Sequence, residues 1–248
     1  MKIGLVKHLN ARPLTYGFEK KGNFSVRFEN PSVLKEELLK GELEAALISS
    51  VECLRNADKL NFSTKVGVCS AEEVRSILYF ENKQEKYSDK IYTDSGSRSS
   101  VALLQILLKE KYGQVPTVVP TPANEILKMI EKGEGYHLLF GDHALLAKWN
   151  REFYASLDLA SWWFEQKKLS FIFALWAYPK NIQLDESIFL ESLEYGLKNL
   201  EEIIQLEIRL PESTLRKYLK EELHYIVTER DKKGFELFAE LCYKYSIL

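Results

Sequence analysis

Lys40-Gly41-Glu42-Leu43-Glu44-Ala45-Ala46-Leu47-Ile48-Ser49-Ser50-Val51-Glu52 and Lys132-Gly133-Glu134-Gly135-Tyr136-His137-Leu138-Leu139-Phe140-Gly141-Asp142-His143-Ala144 repeat one pattern. Each opens on Lys-Gly-Glu, runs through a short apolar strand, and hands over to a helix through small polar residues. A short run of buried-type residues bounded by turn signals is the mark of a strand in a covered sheet. The repeat predicts two similar α/β lobes instead of one sheet. Ligands of parallel sheets sit beyond the carboxyl ends of the strands. Functional residues are therefore sought in the loops that leave those strands.

The same alternation extends on both sides. Ile3 to Val6, Phe24 to Phe28, Ile77 to Phe80, Lys90 to Thr93 and Thr117 to Val119 read as further strands. Helices are expected after Pro13, from Asn30-Pro31 to Gly41, over Val51 to Asn56, Ser97 to Tyr112, Ala123 to Lys132, and Ala144 to Trp149. Proline in a first turn gives up no needed donor, Asn30 is a candidate cap, and Gly41 suits a helix end. Such alternation predicts parallel sheets with helices on both faces. The longest apolar run, Phe171 to Tyr178, has the length of a buried strand, and the chain after Leu184 is helical with breaks near Pro211 and Thr228. The expected division places residues 1–83 and 176–248 in a first lobe and 84–175 in a second lobe inserted into it.

The 248 residues carry 34 basic and 36 acidic side chains, a formal net charge of −2. That balance lacks the basic surplus of a nucleic-acid or anionic-membrane binder. The length holds one large domain or two lobes, either of which buries a sizeable core. Three widely spaced cysteines, Cys53, Cys69 and Cys242, form neither a disulfide framework nor a metal-ligand spacing, and read as buried thiols of a reducing compartment. No stretch approaches the length of a membrane span. The apolar run at the N-terminus is too short for a signal-peptide core and is interrupted by Lys7, so a cytoplasmic protein is expected.

The strongest local signal is Asp94-Ser95-Gly96-Ser97-Arg98-Ser99-Ser100, between a strand and the best helix of the chain. Backbone N–H groups and the positive dipole end at a helix N-terminus favour anions, and an arginine suits a carboxylate bidentately. The loop is either such an anion site or a serine-rich helix cap with Arg98 in solvent. No Gly-Lys-Ser/Thr closes it, so it is not a P-loop. Ser49 and Ser50 either donate to a ligand or cap the next helix, and Gly141-Asp142 either meets a ligand hydroxyl or caps Ala144 to Trp149. Asn10 either binds through its amide or closes a local turn. The four histidines show no metal-ligand spacing, although His143, next to Asp142, is the better functional candidate. The glycine spacing of a dinucleotide site and the Gly-x-Ser-x-Gly elbow of a hydrolase are both missing.

Taken together, these loops resemble those of the chorismate dehydratases of the futalosine route to menaquinone. The resemblance is carried by Ile3 to Leu14 with its Leu9-Asn10-Ala11-Arg12-Pro13-Leu14, by Gly41 to Glu52, and by Ser95-Gly96-Ser97-Arg98-Ser99-Ser100. It continues through Gly141-Asp142-His143-Ala144-Leu145, Asp158-Leu159 with Trp162, and Phe171-Ile172-Phe173-Ala174-Leu175-Trp176-Ala177. It covers about three quarters of the chain, in order. The related naphthoate-forming enzymes open with a Cys-Pro-Asn-Asp type motif, which this chain lacks. The sequence departs from the family pattern at Glu72-Glu73, where Gly-Pro is usual, at His8 for Tyr, and at Lys167-Lys168-Leu169-Ser170 for Thr-Gly-Leu-Pro.

The resemblance implies a two-lobed fold like the type II periplasmic binding proteins, with a ligand cleft between the lobes. It implies a hydro-lyase that needs no cofactor and no metal, acting on a small dicarboxylate. Asn10 and Ser76 are the implied catalytic residues. Ser49, Ser50, Ser97, Arg98, Ser99, Ser100, Gly141, Asp142 and Phe171 are the expected substrate contacts. Two other readings stand beside it: an intracellular small-carboxylate-binding protein without catalysis, and the naphthoate-forming enzyme.

Overall fold

The computed structural model describes residues 1–94 and 96–248. The chain begins with β1 (Lys2–Leu5), a 3-10 turn at Leu9–Ala11, α1 (Arg12–Lys20), β2 (Ser25–Phe28), α2 (Pro31–Leu39), β3 (Ala45–Ser49), α3 (Ser50–Arg55) and β4 (Leu60–Ser70). It then passes to β5 (Ile77–Asn82), β6 (Lys90–Asp94), α4 (Arg98–Tyr112), β7 (Thr117–Thr121), α5 (Ala123–Lys132), β8 (Tyr136–Phe140), α6 (Gly141–Leu146), β9 (Tyr154–Asp158) and α7 (Leu159–Lys167). It returns through β10 (Phe171–Pro179), α8 (Ser187–Lys198), α9 (Leu200–Leu206), α10 (Glu212–Lys217), a π-helical stretch at Tyr218–Glu222, β11 (His224–Ile226) and α11 (Glu229–Lys244).

These strands form two sheets, one ordered β11-β4-β10-β3-β1-β2 and the other β7-β6-β8-β5-β9. The chain crosses between them twice, after β4 and before β10, so the strands of the second sheet are contiguous in sequence and those of the first are not. The crossings lie elsewhere than expected. β5 pairs with β8 and β9, so residues 77–82 belong to the second sheet, and all of β10 belongs to the first. The sheets are also mixed. β1 runs parallel to β2 and β3, and β6 parallel to β7 and β8, but β10 opposes β3 and β4, and β5 opposes β8 and β9. The strands that carry the chain from lobe to lobe, β5 and β10, run against their neighbours, and β11 likewise opposes β4.

β4, β9 and β11 lie outside the expected strands. β4 pairs with β10 through register shifts between Ile172 and Ala174 and between Leu175 and Ala177, which breaks the two-residue alternation that marks a strand. β9, Tyr154-Ala155-Ser156-Leu157-Asp158, has too few large apolar residues to stand out. The helix ends obey local chemistry better. α4 stops at Gly113 in the left-handed region (φ 80), whose N–H donates to the Lys109 carbonyl at 2.9 Å. Asn30 precedes α2 without a side-chain cap bond, and only its carbonyl is used, by Val33 and Leu34 N–H.

The first crossing is pinned from both sides. Asp158 closes β9 and caps α7, accepting from Ala160 and Ser161 N–H at 3.0 Å each, while its other oxygen accepts from Val74 and Arg75 N–H at 3.2 and 2.7 Å. Arg75 has a left-handed backbone (φ 55), and its side chain donates to the buried Glu222 at 2.6 Å. A non-glycine residue there holds only because its surroundings over-determine it.

One apolar core runs from the first sheet into the second lobe through α4, whose Leu103, Leu104, Leu107 and Leu108 are fully buried. A smaller cluster around Leu78, Phe80, Ile126 and Leu139 lies on the other face of the second sheet. In the first lobe Trp176 of β10 stacks on Phe189 of α8 at 4.9 Å, with Phe18 of α1 edge-on to both. α1 and α8 approach closely because both contribute glycines. A Cβ at Gly17 would lie 2.7 Å from Ser192 Cα, and one at Gly196 2.0 Å from the Pro13 carbonyl oxygen. Gly196→Ala therefore forces the helices apart. We expect it to cost about 1–3 kcal/mol, the range for overpacking a core, read as a lowered urea midpoint at unchanged m-value.

Candidate active site

The C-terminal ends of the parallel strands converge between the lobes. The turn after β1 supplies His8 and Asn10, β3 ends in Ser49, β6 in Asp94 with Gly96 and Ser97 following, and β8 runs into Phe140 and Gly141. They enclose a narrow cavity of about 40 Å³, lined among others by Asn10, Ser49, Ser97, Ser100, Gly141 and Phe173. That is room for about one water. The cavity shares His8, Gly96 and Phe140 with a wider pocket of about 500 Å³, whose other walls include Asp94, Arg98, Asp142, His143 and Arg209. The wider pocket falls in the size range of small-molecule sites, about 300–1,000 Å³.

Of the expected contacts, Asn10, Ser49, Ser97, Ser100 and Gly141 are brought together at the inner cavity, and Arg98 and Asp142 at the outer pocket. The loop also contains Ser95, which lies outside the described residues. Ser97 is a helix cap in addition: its hydroxyl accepts from Ser100 N–H at 3.3 Å and lies 2.7 Å from the Ser100 hydroxyl. Gly141 takes a positive φ of 61, and its N–H donates to the Ser76 carbonyl at 2.6 Å. Asp142 caps no helix and accepts instead from Arg209 at 2.7 Å, across the mouth of the cleft.

Other expected contacts face elsewhere. Ser50 and Ser99 are fully buried and line neither cavity. Their hydroxyls lie 3.0 Å apart. Ser50 donates to the Ile172 carbonyl at 2.6 Å, and Ser99 accepts from Val51 N–H at 3.2 Å. They join the lobes to each other. Phe171 is packed among Trp163, Phe173 and Phe238, and Phe173 faces the cavity in its place. Ser76 is buried behind the wall, next to Ile77, which lines it. Its hydroxyl faces the buried Tyr218, whose phenol is pushed up by burial with Ser76 opposing.

Arg98 leaves the inner cavity to pair across the lobes with Glu52, Nη1 to Oε1 at 3.0 Å. Glu52 is almost wholly buried and also accepts from Arg55 at 2.7 Å, with Lys35 at 3.8 Å. Burial pushes its carboxyl up, but the two guanidiniums outweigh that and leave it below its ordinary value. On the pocket wall the balance differs. Burial pushes the Asp94 carboxyl up, against the Gly96 N–H and His143, and burial pushes His8 down, against the pull of Asp142 and Asp94.

A feature missed in the sequence is the pairing of Asp94 with His143, Oδ2 to Nδ1 at 3.2 Å. The two residues are far apart in the chain. They meet because β6 and β8 are parallel neighbours, in register at Thr93 and Leu138, so both strands end at the same height. Strand order was the missing information. Arg209 comes from the segment between α9 and α10, where no motif marks it.

Among the described residues one group has a metal-ligand arrangement, Cys69, His224 and Asp231, with ligand atoms within 4.8 Å of one another. Here the Asp231 carboxylate already accepts from His224, Thr228 N–H and Thr228 Oγ1, and completes the capping box of α11. The cluster ties β11 to α11.

The model of a family described as menaquinone biosynthesis matches residues 1–244. The chain belongs to that family. It is 28% identical to a chorismate dehydratase of Thermus thermophilus, over 96% of this chain and 93% of that protein. It is 23% identical to a chorismate dehydratase of Campylobacter jejuni, over 98% and 97% of the two. Among solved structures, a protein of Archaeoglobus fulgidus matches with a TM-score of 0.76 at 15% identity, over 100% of this chain and 98% of that one. The periplasmic aliphatic sulphonate binding protein SsuA of Escherichia coli matches with a TM-score of 0.65 at 12% identity, over 100% and 92%. The chain thus has the two-lobed periplasmic-binding-protein fold. No helix among the described residues is long and apolar enough to cross a membrane.

Two expectations follow from the geometry. Ser99→Ala leaves the buried Val51 N–H without its acceptor, so stability should fall by about 1–3 kcal/mol in chemical denaturation. Burial pushes Asp231 up, but its bonds to His224 and Thr228 prevail and hold the carboxyl below its ordinary value. A lowered folded-state pKa supplies stability that is present above the unfolded value and is lost as pH falls through the folded one. In melting curves recorded from neutral to acid pH, Asp231→Asn should lower the melting temperature most at neutral pH and give a flatter acid limb than the parent.

Proposed function

We propose that the protein is a chorismate dehydratase that removes water from chorismate to give 3-[(1-carboxyvinyl)oxy]benzoate. The observation that carries this reading is the outer pocket itself: in a chain related over nearly its whole length to chorismate dehydratases, a ligand-sized space at the strand ends presents two guanidiniums, Arg98 and Arg209. Each is now bonded to protein carboxylates, Arg98 to Glu52 and Arg209 to Asp142 and Glu207. A dicarboxylate substrate can share those donors, and arginine's planar fork matches a carboxylate.

The chemistry suits such a site. Loss of a ring hydrogen and the ring hydroxyl makes the ring aromatic, so the driving force lies in the substrate and the elimination needs neither a redox cofactor nor a metal. The protein's task is to fix the substrate, exclude water and move protons. Asn10 and the serine hydroxyls are not bases at neutral pH. In this reading a carboxylate of the substrate takes the ring proton, and Asn10, on the inner cavity wall, holds the reacting part by hydrogen bonds. Ser76 is a positioning residue, since its carbonyl fixes the Gly141 N–H. Three unpaired, buried cysteines fit a reducing, cytoplasmic compartment.

The binding-protein fold favours a second reading, in which the cleft holds a small carboxylate without converting it. Incubation of the purified protein with chorismate, followed by mass spectrometry, separates the two. The dehydratase forms the enolpyruvyl benzoate, whereas a binding protein shifts its melting temperature with chorismate and leaves it intact. Asn10→Ala should lower kcat by about 10²-fold or more, within the range of positioned polar groups in a water-excluded site. Undiminished turnover by that variant would remove Asn10 from the mechanism.

A further inference from the structure

We propose that His143, held by Asp94, is the proton donor to the departing hydroxyl group. This assignment rests on the dehydratase reading above and names a group that the reading leaves open. Hydroxide is a poor leaving group, and an acid positioned against it accelerates its departure. Few groups on the pocket wall can serve. Arginine keeps its proton, which rules out Arg98 and Arg209. Asp142 is bonded to Arg209, and His8 is pressed edge-on to Phe140 and disfavoured as a cation by burial.

His143 differs in how it is held. Asp94 is 7% exposed, and its Oδ1 accepts from Gly96 N–H at 3.2 Å, which leaves Oδ2 for His143 Nδ1 at 3.2 Å. A carboxylate on Nδ1 fixes the ring and its tautomer and stabilises the imidazolium, so that Nε2 is the nitrogen that exchanges its proton. The His143 side chain is 54% exposed, it lines the 500 Å³ pocket, and its Nε2 makes no hydrogen bond to any described residue. The arrangement is therefore a buried carboxylate behind an imidazole that opens onto a ligand-sized space at the strand ends.

The step balances. As the carbon–oxygen bond breaks, its electron pair goes to oxygen and the proton on His143 Nε2 goes with it, so water departs. The ring proton passes to the substrate carboxylate and then to solvent. The exposed His143 regains a proton from water, and Asp94 keeps its charge throughout. Asp94 is thus a positioning residue and His143 the catalytic one.

The test uses the whole chain. The charged and titratable groups around His143 are Asp94 from the end of β6, Asp142 on its own helix, His8 from the turn after β1, Arg98 of α4 and Arg209 from the segment after α9. Variants at His143 and Asp94 are therefore compared with kcat and KM measured separately. His143→Gln should lower kcat by about 10²–10⁴-fold and change KM only a few-fold. Asp94→Asn should also lower kcat at nearly unchanged KM, and should add little to the loss when combined with His143→Gln, since both act through one side chain. Circular dichroism confirms that the variants are folded. If wild type forms product while His143→Gln keeps kcat within two-fold, the proton-donor role is overturned and the dehydratase reading stands. Losses that simply multiply in the double variant overturn the role of Asp94. If wild type forms no product, the dehydratase reading fails and this proposal fails with it.

Discussion

The buried contact between Ser50 and Ser99 is the interaction on which the cleft depends. α3 of the first lobe and α4 of the second begin almost against each other, and α3 brings a backbone N–H to the contact while α4 brings a hydroxyl. Ser99 satisfies Val51 N–H, Ser50 returns to the Ile172 carbonyl, and the hydroxyls meet at 3.0 Å. A buried donor left without a partner costs more than the bond is worth when made. The Glu52 carboxylate adds charge of the right sign beside these helix starts and draws in Arg98. Around this point the strand ends are held at a fixed spacing, and the cavity walls follow from it.

The serine-rich loop was legible in the sequence as a polar strand-to-helix junction, and its two offered roles turn out to be divided among its residues. Ser97 caps the helix through Ser100 N–H and both residues face the cavity, while Ser99 serves the lobe contact and Arg98 an ion pair. One helix start cannot point every side chain the same way, because successive residues turn by about 100°. Sequence gives the junction, and only the three-dimensional arrangement of two junctions decides which residue faces the ligand space. The exchange of Phe171 for Phe173 has a similar origin. β10 pairs with β4 through register shifts, and a bulge changes which side chains reach the cavity.

What the sequence could not show is proximity between strands that are far apart in the chain. The Lys-Gly-Glu repeat located β3 and β8 and the polar residues that follow them. It said nothing of β6 lying next to β8, and so nothing of Asp94 beside His143. The lobe boundaries were misplaced for the same reason. β5 and β10 are apolar enough to fit either sheet, and their membership is set by pairing partners, not by composition. The segments that carry no periodic signal, β4 and the turn bearing Arg209, were beyond reach.

The strand order of the first sheet bears on how the chain is made. β4 lies between β10 and β11. Both of these follow the inserted lobe in sequence, so during synthesis β4 emerges long before either neighbour exists. It waits with both hydrogen-bonding edges open while the whole second lobe is translated, and an open edge is a template for wrong pairing. Until the last third of the chain arrives the first lobe is an unfinished half-sheet, β1 to β3. The cleft is therefore assembled last, when β10 enters between β3 and β4, and a ribosome that stops early leaves a chain with no site at all.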